Sequence, residues 1–350
     1  MPTYQIKHST ELMENYQQAT VMAPQKDFRA LQTADGRALV FSIASDDLGA
    51  AFTVTAELPG DRHGWQIVDL SSSAQHPSQA PALPCRHFAV GQRPGGSVHL
   101  AMALRSGPAD RFSDTVYLAE LTADATGHVQ APSWTAYPYD GADTTRSRVE
   151  VAGIFLSQAT DGEYVIVDLV RDPDSPTQHV VRYYLDRAKP DGRAWHLHDI
   201  PIDLSAEVYA SVLGRRDGDG IDGVYVGGQI DGSPQILYTP MFNELQRNRH
   251  PYSAYLRLSA DAPHVPDALA VCPNPGDATT DLYAAGDGGL YRFASTNQHN
   301  GDTAVLVLEH PLFQRVADLF AFDDEDRVVV WGRNADNLAF YTSCPRADLD

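Results

Sequence analysis

The 350-residue chain lacks the residues that define several common protein classes. Its three cysteines, Cys85, Cys272 and Cys344, are far apart and odd in number, with no CxxC pair, so no disulfide framework or structural zinc site is implied. No uncharged run of about 18 apolar residues occurs, so no helical membrane span is expected. The first twenty residues are polar and include Lys7, Glu11 and Glu14, without the apolar stretch of a secretory signal. A cytoplasmic location is therefore expected. Positive charge is scarce: Lys+Arg 26 against Asp+Glu 46 gives a formal charge of −20. Such a surface repels phosphate backbones and anionic lipid, so neither nucleic acid nor membrane is an expected partner. A Gly-x-Ser-x-Gly elbow, a His-Glu-x-x-His helix, a Ser-x-Asp-x-Gly-x-Thr-Trp box and a phosphate-binding glycine loop are all missing.

What the chain does have is a recurring hairpin. Two plain copies are Thr280-Asp281-Leu282-Tyr283-Ala284-Ala285-Gly286-Asp287-Gly288-Gly289-Leu290-Tyr291-Arg292-Phe293 and Val328-Val329-Val330-Trp331-Gly332-Arg333-Asn334-Ala335-Asp336-Asn337-Leu338-Ala339-Phe340-Tyr341. Each is an apolar run, a Gly/Asp/Asn turn and a second apolar run. Six segments of strand, turn, strand, loop, strand, turn, strand begin near Phe28, His87, Glu150, Ala206, Ala268 and Val316. Their second strands recur at roughly 46 to 66 residues and are nearly continuous apolar runs, as expected of strands packed on both faces. The reading is all-β: a single β-propeller domain over residues 1–350 with six four-stranded blades. The sixth segment lacks a fourth strand, and Tyr4-Gln5-Ile6-Lys7 is the expected substitute, closing the last blade from the opposite terminus. Seven blades, or a truncated ring, is the competing reading. Residues 1–27 are thus a closing strand and a short helix between Thr10 and Met22.

Ala285-Gly286-Asp287-Gly288-Gly289-Leu290-Tyr291 and Arg333-Asn334-Ala335-Asp336-Asn337-Leu338-Ala339-Phe340-Tyr341 resemble the repeat of tectonin-like and fucose-lectin-like propellers, an apolar strand running into Arg-Gly-x-Asp-x-x-Leu-Tyr. Here Gly332 precedes Arg333 instead of following it, and the blades vary in length. The resemblance implies sugar pockets with aromatic stacking and arginine hydrogen bonds, which puts Trp331, Arg333 and Tyr291 forward as ligand-binding residues.

Arg215-Arg216-Asp217-Gly218-Asp219-Gly220-Ile221-Asp222-Gly223 resembles the calcium loop of FG-GAP-type repeats, with Asp217, Asp219 and Asp222 as the available ligands. Arg215 stands where a first acid belongs, and an acidic glycine turn explains the same residues without calcium. No other cofactor is expected. His196 and His198 share one strand face without a nameable third ligand.

The leading expectation is a non-catalytic, lectin-like propeller that binds carbohydrate or another polar small ligand. Two alternatives stand beside it. One is a glycoside hydrolase or lyase with carboxylates in the central channel. The other is a protein-interaction scaffold with an exposed apolar patch.

Overall fold

The computed structural model describes residues 5–8, 27–32, 38–45, 51–58, 66–69, 85–92, 97–106, 113–121, 134–137, 150–158, 164–172, 175–185, 200–203, 208–215, 223–230, 233–240, 254–256, 266–275, 279–294, 304–324, 326–336 and 338–349. Among these residues every regular element is a β-strand, apart from the short 3-10 turns Pro311–Phe313 and Arg346–Asp348.

The N-terminal strand is β1 (Gln5–His8). Five four-stranded sheets follow in chain order. They are β2 (Asp27–Gln32), β3 (Ala38–Ser45), β4 (Ala51–Leu58), β5 (Gln66–Asp69); β6 (Cys85–Gln92), β7 (Val98–Ser106), β8 (Ser113–Leu121), β9 (Trp134–Tyr137); β10 (Glu150–Gln158), β11 (Tyr164–Asp172), β12 (Ser175–Leu185), β13 (Ile200–Asp203); β14 (Val208–Gly214), β15 (Gly223–Ile230), β16 (Ser233–Pro240), β17 (Ala254–Leu256); and β18 (Ala268–Pro273), β19 (Thr280–Gly286), β20 (Gly289–Phe293), β21 (Val305–Glu309). The last sheet combines β22 (Val316–Asp324), β23 (Arg327–Asn334) and β24 (Ala339–Pro345) with β1, in the order β1-β24-β23-β22. The expected loan of a strand from the N-terminus is therefore present, Ile6 pairing with Thr342 and Lys7 with Tyr341. The fold is a β-propeller of four-stranded antiparallel sheets, whose first strands begin within two residues of the expected positions.

Contacts divide the chain into two compact units, Met1–Met13 with Ile202–Asp350, and Glu14–Pro201. In the second, β2 lies beside β6, where Arg29 Nε donates to the Phe88 carbonyl at 3.0 Å and the guanidinium sits 5.3 Å from the Phe88 ring centre. Phe88, Leu100, Ala101 and Ile154 are buried there.

In the first unit the second strands β19 and β23 are buried almost along their whole length, because each sheet is covered on both faces. Ala268, Ala270, Cys272, Tyr283 and Ala285 pack from one face of the β18–β21 sheet onto Val316, Leu319, Ala321, Val328, Val330 and Phe340. Leu269, Leu282, Ala284 and Phe293 pack from its other face onto Tyr225, Ile236 and Tyr238.

The two plain hairpins close differently. Asp287 and Gly288 both have positive φ, 51° and 80°, between the paired Gly286 and Gly289. That is the two-residue type I′ turn whose twist matches the strands. At the other hairpin Asn334 Oδ1 accepts the N–H groups of Asp336 and Leu338, both at 3.0 Å, so the side chain organises a longer loop. Gly332 has its own cause: a Cβ there would lie 2.5 Å from Phe340 Cζ, so the ring occupies the glycine's side-chain space. Strand β24 also runs to Pro345, past the expected end at Tyr341: it pairs with β23 as far as Arg327 and Pro345, and Thr342 and Cys344 are buried. The expected helix between Thr10 and Met22 lies outside the described residues.

Candidate functional site

Strands β18 and β22 lie side by side with their N-terminal ends together, where Val316 meets Asp267, and their C-terminal ends together, where the segment after β24 meets Pro273. The two ends are built differently.

At the N-terminal end, the Asp267 N–H donates to the Ala285 carbonyl at 2.8 Å, and Asp267 Oδ2 accepts the Val316 N–H at 3.3 Å. The Arg315 N–H bonds the same carboxyl group. Burial pushes the Asp267 carboxyl above its ordinary range, with a smaller push from Asp287; the two backbone N–H groups and the Arg315 charge pull it back. The connector into β22 is tied to the Asp287-Gly288 turn: Gly288 N–H donates to Phe313 O at 3.2 Å, and His310 N–H to Gly288 O at 2.8 Å. Arg315 has φ 55°, a left-handed conformation that costs a residue with a Cβ about 1 kcal/mol. Its carbonyl accepts the Ala335 N–H at 2.8 Å, so its backbone is held from both sides.

Beyond Arg315 the register of β22 shifts between Val316 and Asp318, a bulge that leaves Ala317 unpaired and exposed. Bulges recur near the start of β6, β10 and β14, between Cys85 and His87, Val151 and Gly153, and Val208 and Ala210. Such irregularities re-aim side chains at sheet ends. After the bulge in β22, Asp318 pairs across the strands with Arg333, whose Nε and Nη2 reach Oδ2 at 2.7 and 2.5 Å. The next cross-strand pair on the same face, Phe320 and Trp331, stacks with ring centres 5.3 Å apart and planes 19° apart.

At the C-terminal end, Asp323 takes Arg346 Nη2 at 2.5 Å. Arg346 also donates to Asn274 Oδ1 at 3.3 Å and the Pro273 carbonyl at 3.2 Å, and its Nη2 lies 3.8 Å from Cys272 Sγ. Asn274 Nδ2 donates to Asp281 Oδ1 at 3.0 Å, while Arg292 bonds Asp281 Oδ2 at 2.6 Å and the Leu349 carbonyl at 2.5 Å. This continuous chain of charge-assisted bonds straps residues 346–349 across two sheets. Burial pushes the Cys272 thiol up to about 12, so it is inert packing and not a nucleophile.

The residues put forward from sequence are not brought together. Trp331 is 3% exposed and Arg333 is engaged by Asp318; alternation along β22 and β23 puts them on the face opposite Val328 and Val330, which pack on the β18–β21 sheet. Tyr291 packs with Tyr225 and Tyr238 on the far face of that β18–β21 sheet, over Gly289. Asp217, Asp219 and Asp222, and His196 and His198, lie outside the described residues. Among the described residues, no group of three or more His, Cys, Asp or Glu is placed to hold a metal ion. Large exposed apolar side chains there are Val305, Leu306 and Leu338, the first two on the outermost strand β21. Sequence reading passed over Asp267, Arg315 and Asp318.

No protein-family model matches the sequence, and no curated protein matches it. Solved structures do match. An α-L-arabinanase of Penicillium chrysogenum, complexed with arabinobiose, superposes with a TM-score of 0.56 at 14% identity, covering 93% of this chain and 96% of that one. The α-L-arabinofuranosidase Arb93A of Fusarium graminearum, bound to an iminosugar inhibitor, gives 0.57 at 12% identity, with 92% and 93% covered. A sialidase of Trypanosoma rangeli gives 0.59 at 10% identity; 94% of this chain covers 56% of that longer protein.

The likeness establishes the propeller fold. It also corrects the expectation of a non-catalytic, lectin-like protein: these three similar structures are glycosidases and not tectonin or fucose-lectin propellers. A degenerate sequence signal accompanies it. Ser45-Asp46-Asp47-Leu48-Gly49-Ala50-Ala51-Phe52 keeps the serine, aspartate and glycine spacing of the Ser-x-Asp-x-Gly-x-Thr-Trp box, with Ala51 and Phe52 in the last two places.

Proposed function

We propose that this protein is a glycoside hydrolase whose reacting carboxyl groups stand at the N-terminal ends of β18 and β22, Asp267 as general acid and Asp318 as the ionised partner. The observation that carries the reading is the contrast between these two carboxyl groups. Asp267 has its proton affinity raised by burial and by Asp287, whereas Asp318 Oδ2 accepts two bonds from the Arg333 guanidinium. Glycoside cleavage needs such a pair. Support also comes from the near full-length likeness to an arabinanase and an arabinofuranosidase.

In the reaction, Asp267 gives its proton to the glycosidic oxygen as the bond from the anomeric carbon to that oxygen breaks. Asp318 supplies negative charge to the developing oxocarbenium ion and completes the displacement, either as base toward water or as nucleophile. Arg333 is a positioning residue: it fixes the orientation of Asp318, and the Phe320–Trp331 stack is the next cross-strand pair on the same face. The expected substrates are glycosides.

The test is hydrolysis of a panel of aryl glycosides that includes an α-L-arabinofuranoside and a sialoside. Turnover by the native chain, reduced about 10³-fold in Asp267→Asn and Asp318→Asn proteins that keep the native circular dichroism spectrum, supports the assignment. Full activity in both variants removes it.

A further inference from the structure

Arg315 is an arginine that no ion pair engages among the described residues, although its charge acts on Asp267. It lies between Asp267 and the bulge at Ala317, in a left-handed conformation that glycine, asparagine or aspartate would take with less strain. Hydrogen bonds through its own N–H and C=O hold that backbone, so the side chain is not needed to form the turn. Its guanidinium makes no hydrogen bond among the described residues, and the residue is exposed. The other arginines of this region are engaged: Arg333 by Asp318, Arg292 by Asp281, Arg346 by Asp323. Strain kept at a residue whose guanidinium makes no hydrogen bond among the described residues points to a partner from outside.

The local charge says which kind. Asp267 and Asp287 lie close enough to Arg315 or to each other to influence the Asp267 proton, and Asp318 is already matched by Arg333. An arriving anion would meet one guanidinium against two carboxyl groups, on a chain with a formal charge of −20. A neutral saccharide meets hydrogen-bond donors from the arginine and acceptors from the acids, both of which hydroxyl groups satisfy. Ala317, beside them, is exposed as well.

Resting on the glycoside hydrolase reading, we infer that Arg315 is a substrate-positioning residue that donates hydrogen bonds to the hydroxyl groups of a neutral glycosyl unit, and that the site discriminates against acidic sugars.

The experiment uses the full chain with two probes, arabinobiose and sialic acid, measured by titration calorimetry, together with the kinetics of the corresponding nitrophenyl glycosides. Arg315→Gly is the informative variant because glycine takes φ 55° without strain; its melting temperature should equal or exceed that of the native chain. The expected results are binding of arabinobiose at least about tenfold tighter than sialic acid, and a loss of about tenfold in arabinobiose affinity in Arg315→Gly. KM should rise more than kcat falls, with partial recovery in Arg315→Lys, none of which a purely structural residue would produce. Tighter binding of sialic acid, unchanged affinity in Arg315→Gly, or no binding of either probe overturns the inference. Tight, Arg315-dependent binding of arabinobiose without hydrolysis of any glycoside would sink the hydrolase reading alone.

Discussion

The two ends of strands β18 and β22 carry similar residues to opposite effect. At the C-terminal end Asp323, Arg346, Asn274, Asp281 and Arg292 form an unbroken chain of bonds that ends on the Leu349 carbonyl. At the N-terminal end a bulge interrupts the ladder, Arg315 is strained and exposed, and the Asp267 carboxyl is raised. One end uses its charges to fasten two sheets. The other keeps ionisable groups in irregular backbone, where propensity and packing would favour something plainer. Departures of that kind concentrate at functional sites.

Substitutions should separate the two ends. The largest effect is expected at the chemical end: Asp267→Asn should lower kcat/KM about 10³-fold on a glycoside substrate with little change in melting temperature. The reverse pattern belongs to the strap. Arg346→Ala removes the bonds to Asp323, Asn274 and the Pro273 carbonyl and should destabilise the fold by about 1–2 kcal/mol in denaturant titration. It should also let iodoacetamide reach Cys272, which the native chain shields.

A smaller effect is expected at the hairpin. Gly288→Ala forces a methyl-bearing residue into φ 80° and should cost about 1 kcal/mol, read as a lower denaturant midpoint at unchanged m-value.

The smallest effect is on pH dependence. Because the Asp267 carboxyl is raised in the folded state, the native chain binds its proton more tightly than the unfolded chain does. Its contribution to stability is present below the ordinary aspartate range and is lost as pH rises through the raised value. If Asp267 is the acid, the same titration sets the alkaline limb of kcat/KM. Asp287→Asn removes a repelling charge and should move that limb to lower pH; an unmoved limb would assign it to another group.

How much of this was legible in the sequence divides along the same line. The starts of the first strands, the two-residue turn at Asp287-Gly288 and the loan of β1 to the last sheet are written in local signals: continuous apolar runs, turn residues, and a segment with one strand too few. The strained turn at Arg315 and the bulge at Ala317 leave no such local mark. The pairing of Asp318 with Arg333 joins residues fifteen apart across a hairpin loop of its own kind, and Arg346 reaches Asn274 from seventy-two residues away. Arg333 was visible as a residue, while its partner was not, so a side chain committed to an internal ion pair read as one open to a ligand. Tyr291 was misplaced for a related reason: strand alternation fixes which side of its own sheet it faces, but only the packing of sheets shows that this side is turned away from Trp331.

The central claim is that chemistry belongs to the N-terminal ends of β18 and β22 and fastening to the C-terminal ends. Its most direct test is kcat/KM for one neutral aryl glycoside, measured on Asp267→Asn and Arg346→Ala proteins at equal concentrations of folded chain. The account predicts a loss of about 10³-fold in Asp267→Asn and less than about threefold in Arg346→Ala. Equal losses in the two proteins, or the larger loss in Arg346→Ala, would contradict it.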